Sequence, residues 1–144
     1  MGVIALSGLG AGCSDDGPAD PVSAEAYAEE VAALCTQHGE ALADASANFI
    51  DTARSDSERI AFFRTDYIPR VRTVITGLGE HGFPEGRDAE LRAVLSTVLD
   101  LAQRFDAEVP QFIDDYRAGR LDEADNFPRL IAEGLAQADI RCLG

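Results

Sequence analysis

The side chains of this sequence that are best suited to metal binding or nucleophilic chemistry belong to three cysteines and two histidines. Cys35 and His38 lie three positions apart, which on a helix places a thiol and an imidazole on one face. Such a pair can bind a metal ion or activate a thiolate as a nucleophile. A metal site needs further ligands, however, and His81 is the only other histidine. We therefore predict no catalytic residue, no metal site and no cofactor, and keep a thiol or metal enzyme at Cys35 and His38 as an alternative.

A di-iron carboxylate centre is a second way in which helical chains use histidine. Such centres need Glu-x-x-His pairs on two helices. Position 35, three residues before His38, is cysteine, and position 78, three residues before His81, is leucine. Neither pair exists, so this class is excluded. The sequence also lacks the P-loop, Rossmann, G-x-S-x-G and EF-hand patterns.

Cys13 follows an apolar opening, MGVIALSGLGAG, and precedes the acidic stretch SDDG. The letters GAGC at residues 10–13 resemble the lipobox of a bacterial lipoprotein signal, whose cysteine becomes the first mature residue and carries lipid on its sulfur. The match departs at Gly10, where leucine is usual. No basic residue precedes the apolar stretch, as expected if translation starts upstream of Met1. The alternative is an apolar N-terminus with an incidental cysteine.

The cysteine count supports a lipidated Cys13. An odd number of cysteines in an exported protein leaves one thiol that needs a role. If Cys13 carries lipid, Cys35 and Cys142 remain as a pair, and such pairs generally oxidise outside the cytoplasm. Their bond would enclose most of the chain, for which the chain-entropy model gives roughly 4–5 kcal/mol. We predict a Cys35–Cys142 disulfide in a protein anchored to the outer face of a bacterial cell membrane.

The charge of the chain limits its partners. The net charge is −14, from 26 acidic and 12 basic residues. Such a field repels nucleic-acid phosphates, so nucleic acid is excluded as a partner, and a cationic protein partner is favoured. Two acidic clusters could dock such a protein or weakly hold divalent cations, or they are solvated bundle faces: Glu25, Glu29, Glu30, Glu40, Asp44 and Asp51, and Asp114, Asp115, Asp122, Glu123 and Asp125. Three arginines are expected to pair with acidic neighbours: Arg64, Arg70 and Arg72.

Apolar residues recur at helical spacing from position 23 onward. We predict a first helix over about residues 24–52 with Ser23 as its N-cap. Ser55 and Glu58 form an S-x-x-E capping box for a second helix. The predicted core face of the first helix consists of Tyr27, Val31, Leu34, His38, Ala41 or Leu42, Ala45 and Phe49.

Three prolines lie in the later helices. Pro69 in the second helix and Pro110 in the third leave the apolar stripe in phase, so each predicts a kink rather than a break. The second helix is predicted to end within the glycine-rich residues 77–82, and Asp88 is predicted to cap the third. Pro128 either starts or kinks the fourth helix.

Together these segments predict an all-α fold, an antiparallel up-down-up-down four-helix bundle with proline-kinked helices. We assign residues 1–12 to a residual lipoprotein signal, 13–22 to an acidic flexible tether and 23–144 to a single bundle domain. No apolar run reaches roughly eighteen residues, so membrane contact is predicted to occur through lipid on Cys13.

Several motifs give the chain a resemblance to a recurrent type of small lipoprotein in high-GC Gram-positive bacteria, a family of unknown function. They are GAGC, AALC in the first helix, FFRTDYIPRV in the second, GFPEG after it and ADIRCLG at the end. The resemblance implies location and fold rather than chemistry. We expect a non-enzymatic interaction or scaffold module of the cell envelope. The alternative is a small-ligand-binding lipoprotein with a cleft where Pro69 and Pro110 kink adjacent helices.

Overall fold

The computed structural model describes residues 20–51 and 54–142, and most of these residues are helical. The α-helices are α1 (Ala24–Ile50), α2 (Asp56–Phe62), α3 (Ile68–His81), α4 (Asp88–Arg117) and α5 (Phe127–Gln137). A π-helical turn, Phe63–Tyr67, joins α2 directly to α3. The described residues contain no β-strand, so the predicted all-α class is confirmed, and the helices form a bundle. Cys13, the predicted signal and the first part of the predicted tether lie outside the described residues.

Helix α1 begins as predicted. The Ser23 hydroxyl accepts a hydrogen bond from the backbone N–H of Ala26 at 3.0 Å, which satisfies a donor left open at the helix start. Leu42 rather than Ala41 is buried, and the side chain of Phe49 lies outside the described part of the chain. The other predicted core positions are buried: Tyr27, Val31, Leu34, His38 and Ala45.

The helical run from α2 to α3 begins with the predicted capping box. The Ser55 hydroxyl accepts the N–H of Glu58 at 3.2 Å, and the Glu58 carboxylate accepts the N–H of Ser55 at 2.7 Å. Pro69 is the second residue of α3, where a missing N–H is tolerated. The π turn comes directly before it, and there the N–H of Ile68 bonds to the carbonyl of Phe63, five residues back. The helix irregularity near Pro69 is therefore this π turn.

Helix α3 ends within the predicted glycine-rich residues, at Gly82, but Gly77 and Gly79 do not terminate it. Helix α3 continues through Gly77 and Gly79 to His81, and Gly82 ends it with a φ of 102°. A Cβ at Gly77 would lie 3.4 Å from the Leu34 side chain of α1. The glycine thus permits close contact between the two helices, and that packing outweighs its poor helix propensity.

Helix α4 begins one residue earlier than predicted. Arg87 is the N-cap and Asp88 the first helical residue, so our prediction of Asp88 as the cap was wrong by one position. The Asp88 carboxylate instead accepts a bond from Arg92 Nε at 2.9 Å. Helix α4 then continues through Pro110 to its end. Pro128 is the second residue of α5, so it starts that helix.

Aromatic rings fill the bundle core beside the prolines of α3 and α4. The rings of Phe63 and Tyr67 lie 5.0 and 6.2 Å from that of Phe105, in edge-on geometry. Phe112 contacts Phe105 edge-on at 5.0 Å, and Phe127 stacks on it at 5.1 Å. All five rings are buried. The core at this level is therefore filled by side chains from the π turn, α4 and α5.

Residues 138–142, which we call the C-terminal segment, return along α1. The Tyr27 hydroxyl donates to the carbonyl of Ala138 at 2.7 Å, and Ile140 is buried. Cys142 then forms a disulfide with Cys35, with the two Cα atoms 5.1 Å apart. The predicted disulfide is confirmed.

Candidate functional site

The disulfide determines what the Cys35–His38 pair can do. The sulfur of Cys35 is bonded to that of Cys142, 107 positions later, so neither cysteine presents a thiolate in this structure. Among the described residues, no three side chains of His, Cys, Asp or Glu are placed to hold a metal ion. The pair is thus a structural crosslink with a buried histidine one turn away.

His38 is held by a charged neighbour from α3. Its ring is 8% exposed, and its Nδ1 lies 3.2 Å from a guanidinium nitrogen of Arg70. Arginine can only donate, so Nδ1 accepts and the ring proton lies on Nε2, which is buried without a partner. Arg70 Nε in turn donates to Asp66 at 2.6 Å. Burial, and then the charge of Arg70, lowers the pKa of His38.

Most arginines of the described chain bind carboxylates away from the solvent face of α1. Arg64 differs, because its Nε and Nη2 donate to the backbone carbonyl of Asp106, each at 3.1 Å, rather than to a carboxylate. The predicted acidic partner is therefore found for Arg70 and not for Arg64, and Arg72 has no ion pair within the described residues. The ion pairs of the described arginines join Arg54 to Asp51, Arg59 and Arg117 to Asp56, Arg70 to Asp66, Arg87 to Glu90 and Asp139, Arg92 to Asp88, Arg120 to Asp115, and Arg129 to Glu123 and Glu133.

The α1 outer face, which we define by Glu25, Glu29 and Glu40, carries carboxylates that these arginines do not reach. At 3.6 residues per turn the three lie within roughly 60° of one another around the helix axis. All three are exposed, and none has an ion pair in the part of the chain that the structure describes. Helix α1 contains no arginine. Four exposed alanines of the same helix accompany these carboxylates: Ala28, Ala32, Ala43 and Ala47.

The second acidic cluster stabilises its own loop. Asp115 accepts hydrogen bonds from Gln111 at 3.0 Å and from Arg120 at 3.1 Å, and these bonds lower its pKa. Asp122 accepts the backbone N–H of Asp125 at 3.2 Å and that of the preceding residue at 2.9 Å. Repulsion from Asp122 raises the pKa of Asp125. These carboxylates therefore contribute mainly to the turn between α4 and α5.

Two surface grooves lie away from the internal prolines. The larger, of about 370 Å³, lies between α4 and α5. The smaller, of about 200 Å³, lies between α3 and α4 beside Phe83. Neither is lined by Pro69 or Pro110, and aromatic rings occupy the core near both prolines. The larger groove is lined by Val94, Thr97, Leu101, Leu130, Glu133 and Gln137, among others.

Two contacts made by residues of α1 were not predicted from the sequence. Arg70 was predicted to pair with a carboxylate, which it does, but its second bond to His38 was not foreseen. The hydrogen bond from Tyr27 to Ala138 was also missed. The contact between His38 and Arg70 joins positions 32 residues apart, and no local pattern indicates it.

No protein-family model, curated protein or solved structure matches this chain. Within the described residues, none of the helices has the length and apolar character needed to cross a lipid bilayer. The resemblance to small bacterial lipoproteins therefore rests on the sequence motifs.

Proposed function

We propose that this protein is a lipid-anchored, extracytoplasmic helical module that binds a cationic protein partner and has no enzymatic activity. The GAGC motif with Cys13 and the disulfide support export, because disulfides persist in oxidising compartments. The α1 outer face is the observation that carries the choice of partner. Its carboxylates are exposed and unneutralised, whereas the arginines elsewhere are largely paired.

The α1 outer face attracts cations by its geometry. Because Glu25, Glu29 and Glu40 share one side of one helix, their field is concentrated on that side of the bundle. Lysine or arginine side chains on a partner would gain attraction there without competing against an internal arginine. A field of this kind accelerates association more than it prolongs the complex.

The tether joins the bundle close to this face. In our proposal residues 1–12 are removed and residues 13–22 connect the lipid on Cys13 to α1. The backbone N–H of Val22 donates to the carbonyl of Phe83 at 3.1 Å, so the chain enters the bundle at a fixed point. Glu25 lies in the first turn after that point. The anionic face therefore starts next to the tether.

We also infer that the bundle is antiparallel, up-down-up-down, with a kink in α4 at Pro110. Pairs between α1 and α3 run in opposite sequence directions, which supports this topology: Glu30 with His81, Leu34 with Gly77, and His38 with Arg70. Pairs between α4 and α5 do the same: Arg104 with Phe127, and Val98 with Gly134. A proline inside a helix removes one backbone bond and generally bends it.

The anchor is tested by replacing Cys13. The full chain, expressed in a bacterial host behind an upstream signal, should incorporate labelled palmitate and partition into detergent. Cys13→Ala should abolish both properties. Unchanged labelling and partition in that variant would refute the lipid anchor without bearing on the partner.

The partner is tested with a charge variant and a matched control. Glu25→Gln, Glu29→Gln and Glu40→Gln together remove three charges from the α1 outer face. The control removes three exposed charges from α4 by combining Asp100→Asn, Glu108→Gln and Asp114→Asn. In capture from bacterial envelope extracts, a basic protein should bind the wild type and the control but not the α1 variant.

Salt provides the second arm of this experiment. The Debye length falls from ~10 Å at ~0.1 M to ~3 Å at ~1 M salt, so capture should be lost at the higher concentration. Equal capture by the α1 variant and the control, or equal capture at both salt concentrations, would contradict the electrostatic docking face.

A small-ligand binder is the second candidate function, and the α4–α5 groove favours it. Its volume of about 370 Å³ is above the lower end, ~300 Å³, of typical ligand pockets. Ala93→Phe would place a large ring in this groove. Loss of binding of an apolar fluorescent dye in that variant, with retention in the α1 variant, would support this candidate. A wild-type protein that binds no such dye would exclude it.

A further inference from the structure

The smaller of the two surface grooves, which we call the α3–α4 groove, has a volume of about 200 Å³. On α4 its lining residues Arg92, Ser96 and Leu99 follow one another at intervals of four and three positions, so they share one face of the helix. On α3 the groove is lined by Gly79, where a Cβ would meet nothing within 4 Å. The missing side chain at Gly79 therefore leaves space between the two helices.

Arg92 is the one charged residue in the lining of this groove. The remaining lining residues include Ile75 and Leu95, and none of them carries a carboxylate. The α4–α5 groove differs in this respect, because Glu133 lines it. On the surface of a chain with a net charge of −14, the α3–α4 groove thus combines a cation with an apolar wall. Its charge is complementary to an anion.

The guanidinium of Arg92 is held in place but is only partly bonded. Its Nε donates to both carboxylate oxygens of Asp88, at 3.0 and 2.9 Å, and its Cζ lies 5.0 Å from the centre of the Phe83 ring. Within the described residues the two terminal nitrogens have no hydrogen-bond partner, and Nη2 is buried as well. A buried donor without an acceptor is costly, and a carboxylate can accept two parallel bonds from a guanidinium. Arg92 therefore has donors to offer to an anionic ligand.

The rest of the lining favours an apolar body next to that anion. Leu99 is one of two large apolar side chains that are exposed in the described part of the chain, and Leu95 and Phe83 are buried beside it in the same lining. A ligand that covers Leu99 would remove apolar surface from water. An engineered cavity of about 150 Å³ binds benzene, so about 200 Å³ has room for a ring together with a carboxylate.

We propose that the α3–α4 groove binds a small monocarboxylic acid with an apolar body of about the size of one ring. The carboxylate accepts hydrogen bonds from the terminal nitrogens of Arg92, and the apolar body lies against Leu95, Leu99 and Phe83. This site is independent of the proposed cationic partner, which uses the opposite charge on another helix. It is also separate from the α4–α5 groove.

Titration of the full chain, with its disulfide intact, with phenylacetate tests this proposal by NMR of the backbone amides. The salt concentration should be ~0.15 M, where repulsion from the net charge is screened beyond ~8 Å. The signals of Gly79 and Ser96 should shift, and that of Gly134 in the α4–α5 groove should not. Phenylacetamide lacks the charge and acetate lacks the ring, so each should bind at least about tenfold more weakly than phenylacetate.

Two substitutions and a matched control separate the roles of the charge and the space. Arg92→Gln should weaken phenylacetate binding at least about tenfold and remove the preference over phenylacetamide. Arg104→Gln is the control, because Arg104 also lies on α4 and over a ring, that of Phe127 at 5.4 Å, but does not line the groove. It should keep the wild-type affinity. Gly79→Leu places a side chain in open space and should block both ligands.

Four results would overturn the proposal. They are the absence of shifts at Gly79 and Ser96, shifts at Gly134 in their place, equal affinity of the wild type for phenylacetate and phenylacetamide, and wild-type affinity in Arg92→Gln. If Arg92→Gln does not fold, wild-type affinity for phenylacetate in Gly79→Leu would overturn it.

Discussion

Arg64 donates two hydrogen bonds to the backbone carbonyl of Asp106, and this is the carbonyl that Pro110 leaves without a helical donor. In an α-helix the carbonyl of residue 106 would accept the N–H of residue 110, which proline lacks. Arg64 Nε and Nη2 both lie 3.1 Å from that oxygen. The π turn before α3 thus supplies the donor that α4 has lost.

A double-mutant cycle tests this compensation. Arg64→Ala should destabilise the protein by about 1 kcal/mol, because the freed carbonyl loses its charged donor. In a Pro110→Ala background the helix supplies its own N–H, so the same substitution should cost clearly less, with a coupling of about 0.5–1 kcal/mol. Urea unfolding followed by circular dichroism measures each corner of the cycle. Additive effects would show that Arg64 and Pro110 are unconnected.

Gly134 determines how closely α5 approaches α4. A Cβ at this position would lie 2.5 Å from Val98 Cγ2, so Gly134→Ala should destabilise the protein by about 1–3 kcal/mol despite the better helix propensity of alanine. Val98→Ala should restore much of the loss when combined with it. Thermal unfolding of the single and double variants measures both effects.

Gly79 is the matched control for Gly134. It also lies inside a helix, but a Cβ there would meet nothing within 4 Å. Gly79→Ala should therefore stabilise the protein by about 0.5–1 kcal/mol. A loss of stability in this variant would mean that helix propensity does not decide the effect even where an added Cβ meets no neighbour.

The Cys35–Cys142 bond should contribute strongly to stability. Replacing both cysteines with alanine should lower the free energy of unfolding by about 2–5 kcal/mol, because the unfolded chain regains the freedom that the crosslink removes. The urea midpoint measures this loss, and Cys13→Ala in the same background should not change it. Intact mass with and without reductant reports the bond itself. Protein from outside the cytoplasm with two free thiols at these positions would contradict the pairing.

Tyr27 should make the protein sensitive to alkali. Burial, and then the charge of Asp139, raises the pKa of Tyr27 from 10.0 to about 12. The unfolded state then loses its phenolic proton first, so the contribution of Tyr27 is complete below the unfolded pKa and is lost as the pH rises toward the folded one. Tyr27→Phe should cost about 1–2 kcal/mol near neutral pH and less above pH ~10. A pH-independent cost at Tyr27 would refute the argument.

The sequence predicts most of what depends on neighbouring residues. The hydroxyl of Ser55 and the carboxylate of Glu58 are three positions apart, so their reciprocal bonds follow from spacing alone. The disulfide could be predicted because removing Cys13 from the count leaves one possible pair. The place of Gly77 inside α3 could not be predicted in this way. Glycine has low helix propensity, and the contact with Leu34 that offsets it comes from another helix.

The candidate site depends on contacts between distant positions, and these could not be predicted. Pro110 identifies which carbonyl is freed, but nothing in the sequence indicates that Arg64 reaches it. The exposed charge of the α1 outer face was visible as a cluster of carboxylates without arginine. Whether an arginine from another helix reaches these carboxylates depends on how the helices pack, and the sequence does not indicate that packing.

The disulfide also has a mechanical consequence. Because Cys35 and Cys142 are joined across 107 positions, α2 to α5 and the second half of α1 lie within one covalent ring. Consider tension applied between the N-terminal end and the chain end after Cys142. Of the described residues, it can unravel only those before Cys35, which span about 50 Å when fully extended. Beyond that length the force passes through the sulfur–sulfur bond, and the helices inside the ring carry none of it. The α1 outer face is divided by this limit, since Glu25 and Glu29 lie on the extensible side and Glu40 on the protected one.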